Sequence, residues 1–492
     1  MAPSLEDRRF AAVLHLVPDL GEPRPRIAVG SLHGHDVPSF PSPGYRLLYR
    51  LIVHIYQASV KWSARKPLAA AGILLASAAC GSEAGGDGVT IEFWGMGREG
   101  EVVAALVPEF ERRHPGIEVQ VQQIPWTAAH EKLVTAYVGD ATPDVAQLGN
   151  TWIPEFAALE ALAPLGERVA RSAAIGPEEY FAGIWETNVV DGTVYGIPWY
   201  VDTRVLFYRK DLLAAAGYAE PPETWAEWLE AMRRLEAVMG DDGYPILLPT
   251  NEWPQPVILA LQAGSTLLDE GDRYGAFAAP EFREAFTFYV EIFRRGYAPP
   301  LANTQIANLY QQFADGEFAM VITGPWNIGE FRARLPEDLQ DDWGTAPLPG
   351  PKGPGVSMAG GASFVIFESS EHSEHADAAW ELIEYLSEPA VQVRFYELSG
   401  DLPARRAAWD DPALANDPQV QAFRAQLDRV VPLPRVPEWE QIATRVYEYG
   451  EAAVRGSMTI DQALTALDRD VDRMLEKRRW MLAQREEEGK SP

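Results

Sequence analysis

The chain has 492 residues, of which 47% are hydrophobic, 11% aromatic and 23% charged, the profile of a globular protein long enough for two or three domains. Its formal net charge is −29; the first 79 residues hold nine Lys/Arg against five Asp/Glu, so the chain from Cys80 onward carries −33. Such a surface repels nucleic acid and anionic lipid headgroups and favours neutral ligands, and a single cysteine excludes an internal disulfide and a cysteine-based zinc site.

Taken in order, residues 1–59 are rich in Pro, Arg and His and carry two separate apolar patches. They do not fit the export signal that comes after them and read as a misassigned extension, with translation starting near Val60. Over residues 60–79, Lys61, Arg65 and Lys66 precede a short apolar run and the small residues of LLASAACGS, the three parts of an export signal too short to span a membrane. With Cys80 directly after the small residues, the stretch resembles a bacterial lipoprotein signal, although Ser77 stands where Leu is usual. The resemblance implies lipidation of Cys80, a Gly/Ser-rich tether over 80–88 and a mature protein anchored on the extracytoplasmic face of the cell membrane.

Beyond the tether, residues 89–94 (VTIEFW) alternate as a strand and 101–114 form a helix. Residues 117–124 (IEVQVQQI) alternate again, giving a βαβ opening and an expected parallel sheet. Gly95, Gly97 and Gly100 have dinucleotide-fingerprint spacing, but Gln122 and Gln123 stand where an acidic residue would hold a ribose, so no nucleotide cofactor is expected. A helix over 127–138 and a strand over 144–148 lead to Gly149, Asn150, Thr151 and Trp152, polar and aromatic groups at a strand's carboxyl end.

The stretch VYGIPWYVDTRVLFYRKDLL (194–213) changes character twice: a Gly-Ile-Pro turn, then Trp199, Tyr200, Asp202 and Arg204, then a strand over 205–208 and a helix capped by Asp211. PPETWAEWLEAMRRLEAVM (221–239) is an amphipathic helix in which Thr224 and Glu227 have capping-box spacing. A short strand over 246–248 precedes the loop TNEWPQ, which offers Glu252 and Trp253. The helix 280–295 places Phe282, Phe286, Tyr289 and Phe293 on one core-facing side. Next come a polar helix over 304–314, a buried strand over 318–326 ending in Gly-Pro-Trp, a Pro/Gly-rich crossing over 343–355, a strand over 360–367 and a helix over 376–386. LPARR (402–406) breaks the pattern, and the remainder reads as helices.

His372 and His375 are three apart beside Glu371 and Glu374, yet with no third histidine nearby they read as a solvated helix start, and no metal is expected. Nucleophile elbows and Walker loops are absent. What recurs among 15 tryptophans is placement at loop mouths: Trp94, Trp152, Trp199, Trp253 and Trp326. Aromatic rings stacked on the apolar faces of a sugar, with Asp, Glu, Asn and Arg around its hydroxyl rim, suit a neutral carbohydrate.

The order of YGIPWYVDTRVLFYRKDLL, PPETW, GEFAMVITGPW, GGASFVIF and DLPAR resembles extracellular solute-binding protein family 1, the sugar-binding lipoproteins of ATP-driven importers that include maltose- and trehalose-binding proteins. The likeness covers residues 89–475. It implies an α/β, two-lobed periplasmic-binding-protein fold with several hinge crossings and a ligand cleft between the lobes, lobe one being 89–201 plus 347–401 and lobe two 202–346 plus 402–492. Carried over to this sequence, the ligand-binding set is Asn150, Trp152, Trp199, Tyr200, Asp202, Glu252, Trp253, Trp326, Gly361 and Arg405. Gly149 stands where some members have Asp, which leaves Asn150 for the rim contact. The expected protein is a monomer without cofactor or catalytic residues that delivers a neutral di- or oligosaccharide, with trehalose or maltose as candidates, to the permease subunits of an ABC importer. A secreted glycoside hydrolase and a glycan-binding lipoprotein without a transporter are the alternatives.

Overall fold

Alternating apolar side chains open the fold with strand β1 (Val89–Met96), helix α1 (Gly97–Arg113) and strand β2 (Ile117–Ile124), the two strands pairing in parallel. The computed structural model describes residues 88–240, 243–371 and 374–487. The 1–59 extension, the 60–79 signal, Cys80 and His372 therefore lie outside the described residues. Helix α1 starts at Gly97, earlier than the apolar spacing predicts, because the glycines permit it. Gly97 takes φ +52, and a Cβ on Gly95 would stand 2.5 Å from the Gly100 Cα. The glycine triplet thus seats strand against helix, and Gln123 Nε2 donates to the Gly97 carbonyl at 2.6 Å.

Helix α2 (Trp126–Val138) leads to β3 (Val145–Gly149), parallel to β1 on its other side, and then to a short helix α3 (Ile153–Ala158). Strand β4 (Ile197–Val201) then runs through Asp202, Thr203 and Arg204 into β5 (Val205–Arg209). Val205, Leu206 and Phe207 are all fully buried, which explains their continuous apolar run. Leu206 faces one core, while Phe207 turns to the other and stacks on Trp343 at 6.0 Å. Asp211 is no cap; it sits in the first turn of the next helix and pairs with Arg209 at 2.7 Å.

The capping box at Thr224 and Glu227 forms and starts α4 (Trp225–Met239), after which come β6 (Tyr244–Leu247), α5 (Pro254–Gln262) and α6 (Pro280–Arg294). Phe282, Phe286, Tyr289 and Phe293 are buried along α6 as their spacing predicts. The helix expected over 304–314 is shorter, Leu309–Ala314, because the Asn308 side chain caps it by accepting from the Gln311 N–H. Strand β7 (Phe318–Thr323) ends before Pro325, and Trp326 opens helix α7 (Trp326–Arg334) rather than ending a strand. Strands β8 (Trp343–Ala346) and β9 (Gly361–Ile366), helices α8 (Glu374–Leu386) and α9 (Pro389–Ser399), strand β10 (Leu402–Pro403) and helices α10 (Trp439–Val454) and α11 (Ile460–Met474) complete the fold.

Two α/β lobes result. The first sheet has strand order β10-β4-β9-β3-β1-β2 and the second β8-β5-β7-β6. The chain leaves the first sheet after β4, returns before β9 and leaves again after β10. Returning from the second sheet, β9 runs antiparallel to both β3 and β4, so the sheet is mixed and not wholly parallel. Strand β10, expected in the second lobe, instead pairs with β4, Leu402 opposite Val201 and Pro403 opposite Tyr200. Among the described residues no helix is long and apolar enough to cross a membrane, and no group of three or more His, Cys, Asp or Glu is placed to hold a metal ion.

The crossings meet at glycines. A Cβ on Gly360 would lie 2.2 Å from the Asp202 carbonyl oxygen and one on Gly361, at φ +141, 2.1 Å from that of Tyr200. We expect Gly361→Ala to destabilise the protein by about 2 kcal/mol or more in urea unfolding, since strain and a backbone collision combine. A loss below about 0.5 kcal/mol, the range of an ordinary surface substitution, would show that the crossing relaxes freely.

Candidate ligand-binding cleft

The carboxyl ends of the first sheet's parallel strands and the loops of the second lobe converge on a cavity of about 430 Å³. From the first lobe come Glu99 in the opening turn of α1, Asn150 and Trp152 after β3, and Tyr200 at the end of β4. Asp202 and Arg204 come from the crossing. The second lobe contributes Trp253 just before α5, Trp326 at the head of α7 and Glu440 in the first turn of α10, while Asp401 enters just before β10.

Charge is the first property of this cavity. Glu99, Asp202, Asp401 and Glu440 line it, and Arg204 is the one cation among the described lining residues. Glu99 is held in place: Tyr200 Oη donates to its Oε1 at 3.0 Å, and Trp126 Nε1 lies 3.3 Å from the same oxygen. Gln147 Nε2 donates to Tyr200 Oη at 3.0 Å while its Oε1 accepts from the Met96 N–H, so the network is anchored in the sheet. Burial lifts the Tyr200 hydroxyl well above its usual range, and the adjacent Glu99 charge adds to this, which keeps it a donor. Burial likewise raises the carboxyls of Glu99, Asp202 and Glu440. Asp401, 8% exposed, is pushed up to about 8, by burial first and then by the charge of Glu99. Arg204 opposes the rise at Asp202 from 3.3 Å.

Aromatic faces are the second property. Trp326 is 37% exposed, its ring lies where a Cβ on Gly324 would be, and the Arg204 guanidinium sits 4.5 Å over it. Trp126 meets Trp152 edge-on at 5.7 Å, and Trp253 is braced edge-on against buried Trp439 at 5.7 Å. Rings fixed by neighbours, with carboxylate acceptors between them, can hold a ligand that has apolar faces and a rim of hydroxyl donors.

Of the residues expected at the site, the structure brings together Asn150, Trp152, Tyr200, Asp202, Trp253, Trp326 and Gly361. Asn150 is buried, with Nδ2 donating to the Ala359 carbonyl at 3.2 Å. Three residues lie elsewhere. Trp199 is 1% exposed and packed between Phe364 and Phe395 at 4.7 and 4.5 Å, because it points to the opposite side of β4 from Tyr200. Arg405 is buried away from the cavity, pairing with Glu179 at 3.1 Å and the Ala174 carbonyl and lying over Tyr180. Glu252 lines a neighbouring cavity, its carboxylate accepting from Asn303 Nδ2 and Gln255 Nε2. Trp94 also is core, under Lys132. Glu99, Trp126, Asp401 and Glu440 line the cleft without having been expected there from the sequence. For Glu99 a signal existed: an acid in the first helical turn behind a glycine loop at a strand's end.

Known proteins share this architecture. Residues 96–393 match the family described as bacterial extracellular solute-binding protein. The chain is similar in structure to the sugar-binding protein MalE from the phytopathogen Xanthomonas citri, with 51% identity and a TM-score of 0.78 over 80% of this chain and all of that one. It is 27% identical to the diacetylchitobiose binding protein DasA of Streptomyces coelicolor, over 81% of this chain and 96% of that protein. It is also 30% identical to an uncharacterized lipoprotein in the oleD 5' region of Streptomyces antibioticus, over 78% of this chain and 87% of that one.

The raised carboxyl of Asp401 fixes a direction of pH dependence. Its value is about 8 in the fold against 3.8 free, so the folded state holds the extra proton between those limits. Stability on this account is fully present below pH ~4 and declines as pH rises towards ~8. Asp401→Asn, which keeps shape and removes the titration, should melt several degrees above the parent, about 5 °C, at pH 9, with the gap closing towards pH 4. A gap independent of pH would contradict this.

Proposed function

The chain belongs to the bacterial extracellular solute-binding proteins, and from that premise we propose that it captures a neutral di- or oligosaccharide outside the cytoplasmic membrane and hands it to an ABC importer. The observation that carries the reading is the cleft itself, in which the rings of Trp126, Trp253 and Trp326 and the acidic side chains of Glu99, Asp202 and Asp401 line one cavity between two lobes. A pyranose presents axial C–H bonds to rings and hydroxyl donors to acidic side chains, and both kinds of partner line this cleft. The raised carboxyls favour a neutral ligand over an anion, since a negative charge would enter a cavity that already disfavours its own.

Similarity to the sugar-binding protein of Xanthomonas citri and to the diacetylchitobiose binding protein supports the carbohydrate class. Trehalose and maltose are the candidates within it. In this reading the crossing at Asp202–Arg204 bends as the lobes close on the sugar, placing Tyr200 and Asp202 at the hinge side of the ligand. Cys80 supplies the lipid tether, and a lipoprotein among the relatives supports that assignment. The protein binds and releases its sugar unchanged.

A thermal-shift screen of the mature chain against mono-, di- and oligosaccharides tests the proposal. A true ligand at ~100 times its dissociation constant adds ~2.7 kcal/mol to stability, and it should be recovered chemically intact. Trp326→Ala should weaken that binding by at least ~1 kcal/mol, about fivefold, while leaving the unliganded melting point in place. A screen in which no saccharide shifts the melting point while a peptide or polyamine does would overturn the reading.

A further inference from the structure

Where Thr151, Trp152 and Glu440 line the cavity, the two lobes meet through titratable groups. His130 on α2 and Glu155 on α3 belong to the first lobe, and His130 Nε2 stands 2.8 Å from Glu155 Oε2. Glu440, in the first turn of α10, comes from the second lobe; Thr151 of the first lobe hydrogen-bonds its carboxyl, and the charges of His130 and Glu155 both act on it. Glu438, the residue before α10, adds its charge against Glu155 and has one carboxyl oxygen buried without a hydrogen bond. One histidine thus has acids from both lobes beside it.

The charged groups that face His130 are Glu155 and Glu440. On its own helix Glu131 is exposed and Lys132 lies over the Trp94 ring at 4.4 Å, while Lys477 and Arg478 of the second lobe act on Glu438. These groups are not placed to hold a metal ion, so the charge that counters Glu155 and Glu440 is the proton on His130. The hydrogen bond from Glu155 lifts the imidazole above its ordinary range; burial opposes this, and the charges of Glu155 and Glu440 add to the rise. Burial also raises the Glu440 carboxyl. Both groups hold protons more tightly where the lobes touch, so the contact is favoured at acid pH and weakens as pH rises through the raised histidine range. The same ring reaches the cleft: it meets Trp152 edge-on at 5.2 Å, and Trp152 lines the cavity.

We propose that His130 is a protonation-sensitive clasp between the lobes: carrying its proton it joins Glu155 to Glu440 and draws the cleft closed, and without it the two acids face each other across the lobes and push it open. The proposal rests on the reading of the cleft as a site that closes by lobe movement, and it adds the group that sets how closure responds to pH. Its test reads the lobes themselves with no saccharide present, so its failure leaves the carbohydrate reading standing.

Small-angle X-ray scattering from the unliganded mature chain across a pH series tests it. The radius of gyration should grow by about 1 Å between about pH 6 and about pH 9, the scale of a hinge opening in a molecule of this size. His130→Gln, which keeps a donor for Glu155 and loses the charge, should show the larger radius throughout. Glu440→Gln, which keeps a partner for Thr151 and ends the repulsion, should show the smaller radius throughout. A merely structural role for either residue would not move the two variants in opposite directions. Asp401→Asn should still expand, because Asp401 titrates inside the cavity and not at the clasp. A constant radius in the unmodified protein, an expansion that survives His130→Gln, or one that Asp401→Asn abolishes would overturn the clasp.

Discussion

Everything in this molecule depends on a close approach of backbone at the crossing between its lobes. The Asp202 N–H donates to the Gly360 carbonyl at 2.9 Å, and the missing side chains of Gly360 and Gly361 make room for the carbonyls of Asp202 and Tyr200. Thr203 Oγ1 donates to the Met358 carbonyl at 3.0 Å, and the Arg204 N–H to Ser357 Oγ at 3.2 Å, so the outgoing and returning segments are laced together. Because they touch, strand β9 takes its place between β3 and β4, and the two sheets face one cleft. A side chain at either glycine would push the segments apart and separate the residues that line the cavity.

The same crossing concentrates charge. Burial works against the ionised forms of Glu99, Asp202 and Asp401, and the fold answers with the Arg204 guanidinium beside Asp202 and with donors from Tyr200 and Trp126 to Glu99. One Asp202 oxygen is buried without a hydrogen bond and is met by the Arg204 guanidinium at 3.3 Å. Leaving such groups under-satisfied costs stability. The glycine spacing behind β1, which has dinucleotide-binding form, here serves a different end: it seats α1 so that Glu99 enters the cavity.

Much of the fold was legible because period and punctuation agree along the chain. Residues 117–124 alternate and form β2 to the residue; the Thr224 capping box forms; the Phe stripe of α6 is core. The site was legible where a polar or aromatic residue ends a strand, as at Asn150 and Tyr200. It was misread where parity decides: Trp199 and Tyr200 are neighbours, and which side of β4 faces the cleft depends on pairing with β9 and β10, not on the residues themselves. Arg405 misled because a buried structural arginine and a sugar-binding one look alike until Glu179 and Tyr180 are seen around it. Asp401 and Glu440 carried no local signal, since only the return of distant segments brings them to the cleft.

The most direct test of the account is the crystal structure of the mature chain grown with the saccharide that gives the largest thermal shift. A pyranose ring stacked on Trp326 is expected, ring centres about 4.5–5.5 Å apart, with hydroxyls within about 3 Å of Glu99, Asp202 or Asp401. Saccharide density confined to the outer surface, with this cleft holding solvent alone, would contradict it.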